Sequence, residues 1–151
     1  MNIIWSNSLG SNKKPVDLRP DAAIRGIDHN ILIDVSITTP TALSYILREN
    51  SPTRLFAAKR RETLKRKKYS EIATVEHADF YGVVMESFGA MGNDIHRLLD
   101  ILNTSHKIAV ENSNWNLKRW GYAVLSFALQ RGNGRLAFAA FRLDRRSPVR
   151  V

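Results

Sequence analysis

A chain of 151 residues with 23 lysines and arginines against 14 aspartates and glutamates carries a formal charge of +9. That length suits one domain able to bury about two thirds of its unfolded surface, and the excess of positive charge points to a polyanionic partner, nucleic acid first. The absence of cysteine excludes a disulfide framework and a thiolate zinc site, and no apolar run approaches the roughly 20 residues of a membrane span. Met1 to Trp5 is too short for a secretory signal, so an intracellular protein with no membrane partner is expected.

Residues 1–17 read as a polar lead-in, with Ser6, Asn7, Ser8, Gly10, Ser11, Asn12 and Pro15. Leu18 to Ile24 predicts a first strand, and Pro20, having no N–H, confines that stretch to a strand start or an edge. Arg25 to Asn30 has turn chemistry. Ile31 to Thr38 is apolar and β-branched on both faces and predicts a buried strand pairing with the first. Thr39-Pro40 ends it, and Leu43 to Leu47 suits one or two helical turns.

A long helix is expected from Thr53 to about Glu76, started by Ser51-Pro52-Thr53. Its apolar stripe is Leu55, Phe56, Ala58, Thr63, Tyr69, Ile72 and Val75, and the remainder is largely basic. Phe80 to Ser87 predicts a further strand, broken at Gly89. Met91 to Asn103 predicts a helix with Met91, Ile95, Leu98, Leu99 and Leu102 on one side. Asn112-Ser113-Asn114 offers an N-cap for a helix through Gln130. Gly132-Asn133-Gly134 is expected to interrupt it before a last helical segment, Arg135 to Leu143. The tail, 144–151, is basic. The expectation is an α/β (α+β) domain over residues 18–143, a small mixed β-sheet flanked by helices.

Asp21 and Asp34 stand out as chemistry. Asp34 lies between Ile33 and Val35 in an apolar strand, where an uncompensated carboxylate is costly. A hydrogen-bond network, an arginine or a metal must offset it. Hard divalent cations take carboxylate oxygens and keep several waters, so two carboxylates on neighbouring strands suit one; an ion pair of Asp34 with Arg19 or Arg25 is the plainer reading. On the long helix Lys59, Arg60, Arg61, Lys65, Arg66, Lys67 and Lys68 gather, and helical spacing puts Lys65, Lys68 and Tyr69 on one side. One of these lysines could reach the carboxylates and a phosphate. The plain alternative is a solvated basic face, with Tyr69 packing into the core.

Glu86, at the end of an apolar strand, could join the acidic pair, cap a helix or pair with a lysine. The four histidines lack zinc-site spacing, and neither a GxxxxGK[ST] loop nor a GxGxxG is present. Trp115 and Trp120 suit core positions on the late helix better than base-stacking platforms.

Arg19-Pro20-Asp21, twelve residues, Asp34-Val35-Ser36, then Lys65-x-x-Lys68-Tyr69 resembles the restriction-like endonuclease domain of site-specific non-LTR retrotransposon proteins and related reverse-transcriptase polyproteins, within the PD-(D/E)XK fold. Val83 to Gly89 and Leu129 to Asn133 also look like downstream segments of such proteins. The resemblance spans roughly residues 18 to 135. It implies a restriction-endonuclease-like fold and a metal-dependent DNA endonuclease that nicks an insertion target. Asp21 and Asp34 would be the Mg2+ ligands, with Mn2+ as a substitute, and Lys65 or Lys68 the catalytic lysine. In the usual pattern a lysine stands two residues after the second acid; here that residue is Ser36, so the resemblance moves the lysine to the helix. Double-stranded DNA is the implied partner, with a homodimer invited by cutting of both strands, and a nuclear location in a eukaryote. The alternative expectation is a catalytically inactive nucleic-acid-binding module of the same fold.

Overall fold

The computed structural model describes residues 18–26, 30–47, 53–110 and 115–144. The lead-in 1–17, most of the first turn, the Asn112–Asn114 cap and residues 145–151 of the basic tail lie outside them. The order is β1 (Ala22–Arg25), β2 (Asn30–Thr38), α1 (Leu43–Ile46), α2 (Phe56–Val75), β3 (Ala78–Glu86), α3 (Asn93–Ala109) and α4 (Leu117–Asp144). The fold is mixed α+β, as expected. It divides into two compact units, the first holding the whole sheet, α1, α2 and the start of α3 to Leu98, the second running from Leu99 together with Ser87–Gly89.

In the first unit the strands lie in the order β1-β2-β3. β1 pairs antiparallel with β2, from Ala22 against Ile33 to Arg25 against Asn30. β2 and β3 run parallel from Asn30 against Ala78 to Thr38 against Glu86, so the chain must cross over between them, and α2 makes that crossing. β1 begins after Pro20, later than the apolar pattern suggests, because proline cannot donate to the ladder.

The strand period of two sorts the side chains. Leu32, Asp34 and Thr38 share a face with Phe80, Gly82, Val84 and Glu86. α2 lies on this face. Tyr69 stacks on Phe80 with ring centroids 4.9 Å apart, and a Cβ on Gly82 would stand 3.5 Å from the Glu62 Cα. The missing side chain at Gly82 lets the helix backbone approach the sheet closely. Ala57, Ala58, Tyr69, Val84, Ile95 and Leu98 are buried in this unit. On the opposite face Ile31, Val83 and Met85 are buried, whereas Val35 and Ile37 are exposed.

α2 starts at Phe56, not Thr53, because Leu55 adopts the left-handed backbone region at φ 60°. Its first turn carries no acid of its own. Glu86 supplies one from β3, its Oε1 accepting the Ala58 N–H at 3.3 Å, so an anion sits at the positive end of the helix dipole. At the other end His77, at φ 47°, takes the left-handed position that follows many helices and turns the chain into β3.

The start of α3 is tied to α2 through buried carboxylates. Glu62 Oε1 accepts the Asp94 N–H at 3.0 Å, and Asp94 accepts two bonds from the Arg66 guanidinium, each 2.8 Å. Asp94 also takes the Gly82 N–H at 3.2 Å. Burial raises the Glu62 pKa above the usual carboxylate range; the Asp94 N–H bond opposes this, and the Asp94 charge adds to it. Gly92 sits against this knot: a Cβ there would fall 2.1 Å from Glu62 Oε1 and 3.0 Å from the Val84 carbonyl oxygen. Gly92→Ala is therefore expected to cost about 1–3 kcal/mol, the range for overpacking a filled interior, read as a lower denaturation midpoint. An unchanged midpoint would mean that Glu62 moves aside freely.

In the second unit α4 is a continuous helix. Gly132-Asn133-Gly134 does not interrupt it, contrary to the expectation from sequence. Each interior glycine costs about 1 kcal/mol against alanine, which neighbouring helix-forming residues absorb, and the Asn133 amide donates to the Ser87 carbonyl at 2.8 Å. Asn116 caps the helix, its Oδ1 accepting the Arg119 N–H at 2.9 Å. Trp115 and Trp120 are about half exposed and meet edge to face at 5.7 Å, so neither is the core residue expected, and Trp115 precedes the helix. Among the described residues no helix is long and apolar enough to cross a membrane.

Candidate functional site

Asp34 sits in the middle of β2 on the face that α2 covers, and it is buried. Its partner across β3 is Gly82, which has no side chain to fill the space above. The Lys65 side chain enters that space, its Nζ donating to Asp34 Oδ2 and also reaching the Val35 carbonyl at 3.3 Å. Four residues on, on the same helical side, Tyr69 brings its hydroxyl to 3.1 Å from Asp34 Oδ1 and 3.1 Å from the Arg19 carbonyl. Its single proton serves one acceptor at a time. Both Asp34 oxygens thus face donors from α2.

Asp21 arrives from the other side. Continuing the β1–β2 register by one position sets it opposite Asp34. Its Oδ2 accepts the Val35 N–H at 2.6 Å, standing in for a ladder bond that β1 is too short to supply. Unlike Asp34 it is exposed. Its charge is felt by both α2 side chains. Burial lowers the Lys65 pKa below the ordinary lysine range, with the Asp21 carboxylate opposing and the Lys68 ammonium reinforcing the drop. Burial also raises the Tyr69 phenol, and Asp21 adds to that rise.

Of the two lysines singled out from sequence, Lys65 meets the carboxylate. Lys68 lies outside, exposed, its Nζ 4.9 Å from the Tyr69 ring centroid and 3.5 Å from the Tyr69 hydroxyl. Arg25 pairs with Glu76 at 3.2 Å and not with Asp34. Glu86 lies opposite Thr38, four positions along the sheet from the Asp34–Gly82 pair, and is held by the start of α2, apart from the acidic pair.

From sequence Tyr69 shares a helical side with Lys65 and Lys68 and is expected to pack its ring into the core rather than touch a substrate. The ring has that role, but the hydroxyl also bonds Asp34, and the Lys65-to-Tyr69 spacing of four was the available signal. The Glu62–Arg66–Asp94 knot escaped notice because its members are 28 and 32 residues apart in the chain.

Among the described residues no group of three or more His, Cys, Asp or Glu side chains gathers to hold a metal ion. The donor chemistry of Asp21 and Asp34, two carboxylates across adjoining chain segments, does fit magnesium, which commonly takes one or two carboxylates and completes its shell with water and substrate phosphate. No protein-family model, curated protein or solved structure matches this chain.

Proposed function

We propose that this chain is a DNA-binding protein that hydrolyses the phosphodiester backbone at the Asp21–Asp34–Lys65 cluster. The observation that carries the reading is a cation and two carboxylates brought together on the sheet by the one helix that is crowded with positive charge. Asp21 and Asp34 would hold a magnesium or manganese ion, which when bound supplies Lewis-acid stabilisation of the phosphate. Lys65 presents positive charge where the phosphate gains negative charge as water adds to phosphorus and the sugar oxygen departs. Tyr69 holds the other Asp34 oxygen. Cutting both strands of a duplex would engage two copies of the chain.

A second reading is a binding module without catalysis. It is favoured by the engagement of both Asp34 oxygens, one by Lys65 and one by Tyr69, in a network that is complete without a metal. Nicking of supercoiled plasmid separates the two. Relaxed circles are expected with Mg2+ or Mn2+ and none with EDTA. Asp34→Asn and Asp21→Asn are each expected to lose nicking and keep DNA binding. Binding with no nicking under any metal would leave only the second reading, and nicking by both variants would remove the carboxylates from the mechanism.

A further inference from the structure

The seven cations of α2 divide by whether an acid meets them. Lys65 pairs with Asp34 and Arg66 with Asp94. Among the described residues Lys59, which lies off the face considered next, has no ion-pair partner, and neither have Arg60, Arg61, Lys67 and Lys68. These four are the i−4, i−3, i+3 and i+4 neighbours of Leu64, so on a helix they ring it on one face. Leu64 is 49% exposed, Arg61, Lys67 and Lys68 are exposed, and Arg60 is half-buried. Glu71, one turn beyond, forms no ion pair with Lys67 or Lys68. Four like charges at this spacing repel one another, and a polyanion relieves that repulsion.

The two rows, Arg60–Arg61 and Lys67–Lys68, stand about 10 Å apart along the helix axis, the rise of seven residues. Along the duplex axis one strand of DNA advances about 3.4 Å per phosphate, so with α2 parallel to that axis the rows span about three phosphates. The face also adjoins the candidate site: Leu64 precedes Lys65, and Lys68 reaches the hydroxyl of the Tyr69 that holds Asp34.

We infer that the face of α2 centred on Leu64 is the track on which a nucleic-acid phosphate backbone lies, leading one strand past Lys68 to Asp34. This rests on the nucleic-acid part of the proposed function and adds where the backbone runs.

The test is the salt dependence of binding to a labelled mixed-sequence DNA duplex, measured by fluorescence anisotropy over a KCl series. Each lost phosphate contact should flatten the slope of log K against log salt by about 0.9. The quadruple variant Arg60→Gln/Arg61→Gln/Lys67→Gln/Lys68→Gln is expected to flatten it by about 3 to 4. Leu64→Glu, which places one acid amid the four cations without removing any, is expected to weaken binding about tenfold at low salt, a change of about 1.4 kcal/mol. Lys59→Gln, on the other side of the helix, should leave the slope as it is. An unchanged slope in the quadruple variant overturns the track, even if plasmid is still nicked. A flattened slope with no nicking sustains the track and removes only the catalytic reading. Co-sedimentation with phosphatidylserine vesicles and no binding to the duplex would assign the face to a membrane surface and overturn the inference.

Discussion

Lys65→Met is expected to destabilise the protein by about 3–5 kcal/mol at neutral pH, the cost of removing one partner from a buried ion pair. Lys65 and Asp34 have side chains only 9% and 12% exposed, so water cannot take over the role of the ammonium. The remaining Asp34 carboxylate, buried without its counter-charge, would favour its protonated form and hold its proton to higher pH in the folded variant than in the unfolded chain. The sign follows from linkage. At a pH low enough to protonate the carboxyl in both states, the part of the deficit due to the unpaired charge vanishes; it grows as pH rises and is complete once the folded state has ionised too. The variant's loss of stability relative to the unaltered protein, read from urea melts, should therefore be smaller at pH 4 than at pH 7. The double variant Asp34→Asn/Lys65→Met should recover part of the loss, since it leaves no buried charge unpaired. If the double variant is as unstable as the sum of the two single ones, the two groups are not coupled and the pair is misassigned. On the proposed function, Lys65→Met, alone or with Asp34→Asn, should also end nicking, because Lys65 would present its charge at the phosphate.

The second large effect falls outside the candidate site. Asp94→Ala should cost about 2–4 kcal/mol, chiefly by leaving the buried Gly82 N–H without an acceptor and by emptying a filled position. Asp94 is 1% exposed, whereas Arg66, at 52%, can turn into solvent once released, so no buried cation is stranded. Asp94→Asn keeps an oxygen for Gly82 and loses only the charge, so its stability should lie between. Chemical denaturation orders the three proteins. A midpoint for Asp94→Ala equal to that of the unaltered chain would show that the knot contributes nothing.

Local patterns in the sequence served the elements better than the contacts. The β-branched run from Ile31 is legible as β2 because period and residue type agree there, and the length of α2 follows from its composition. The start of α2 was not legible, since a left-handed leucine leaves no trace in propensity, and α4 runs through glycines that usually break a helix. Asp21, Asp34 and a helical lysine could be named as a group from chemistry alone. Which lysine was beyond reach: Lys65 and Lys68 share a helical side, and the choice falls to the close approach of α2 at Gly82, set by a parallel register that no local pattern encodes. Asp94 and Glu62 were missed for the same reason, each being an ordinary surface acid until the fold turns it inward.

That parallel register also bears on the order in which the chain assembles. β1 ends at Arg25 and β2 begins at Asn30, so little entropy is lost in closing their antiparallel pairing. β2 and β3 have all of α1 and α2 between them, and a pairing of that span is slow to form. That antiparallel pair can thus register Asp21 against Asp34 early, as a small local structure. The lysine that neutralises Asp34 arrives only when α2 docks and the third strand is in place. Until then Asp34 stays on a face open to water, where its charge costs little, so the late step of folding is the one that both buries the carboxylate and delivers its counter-charge.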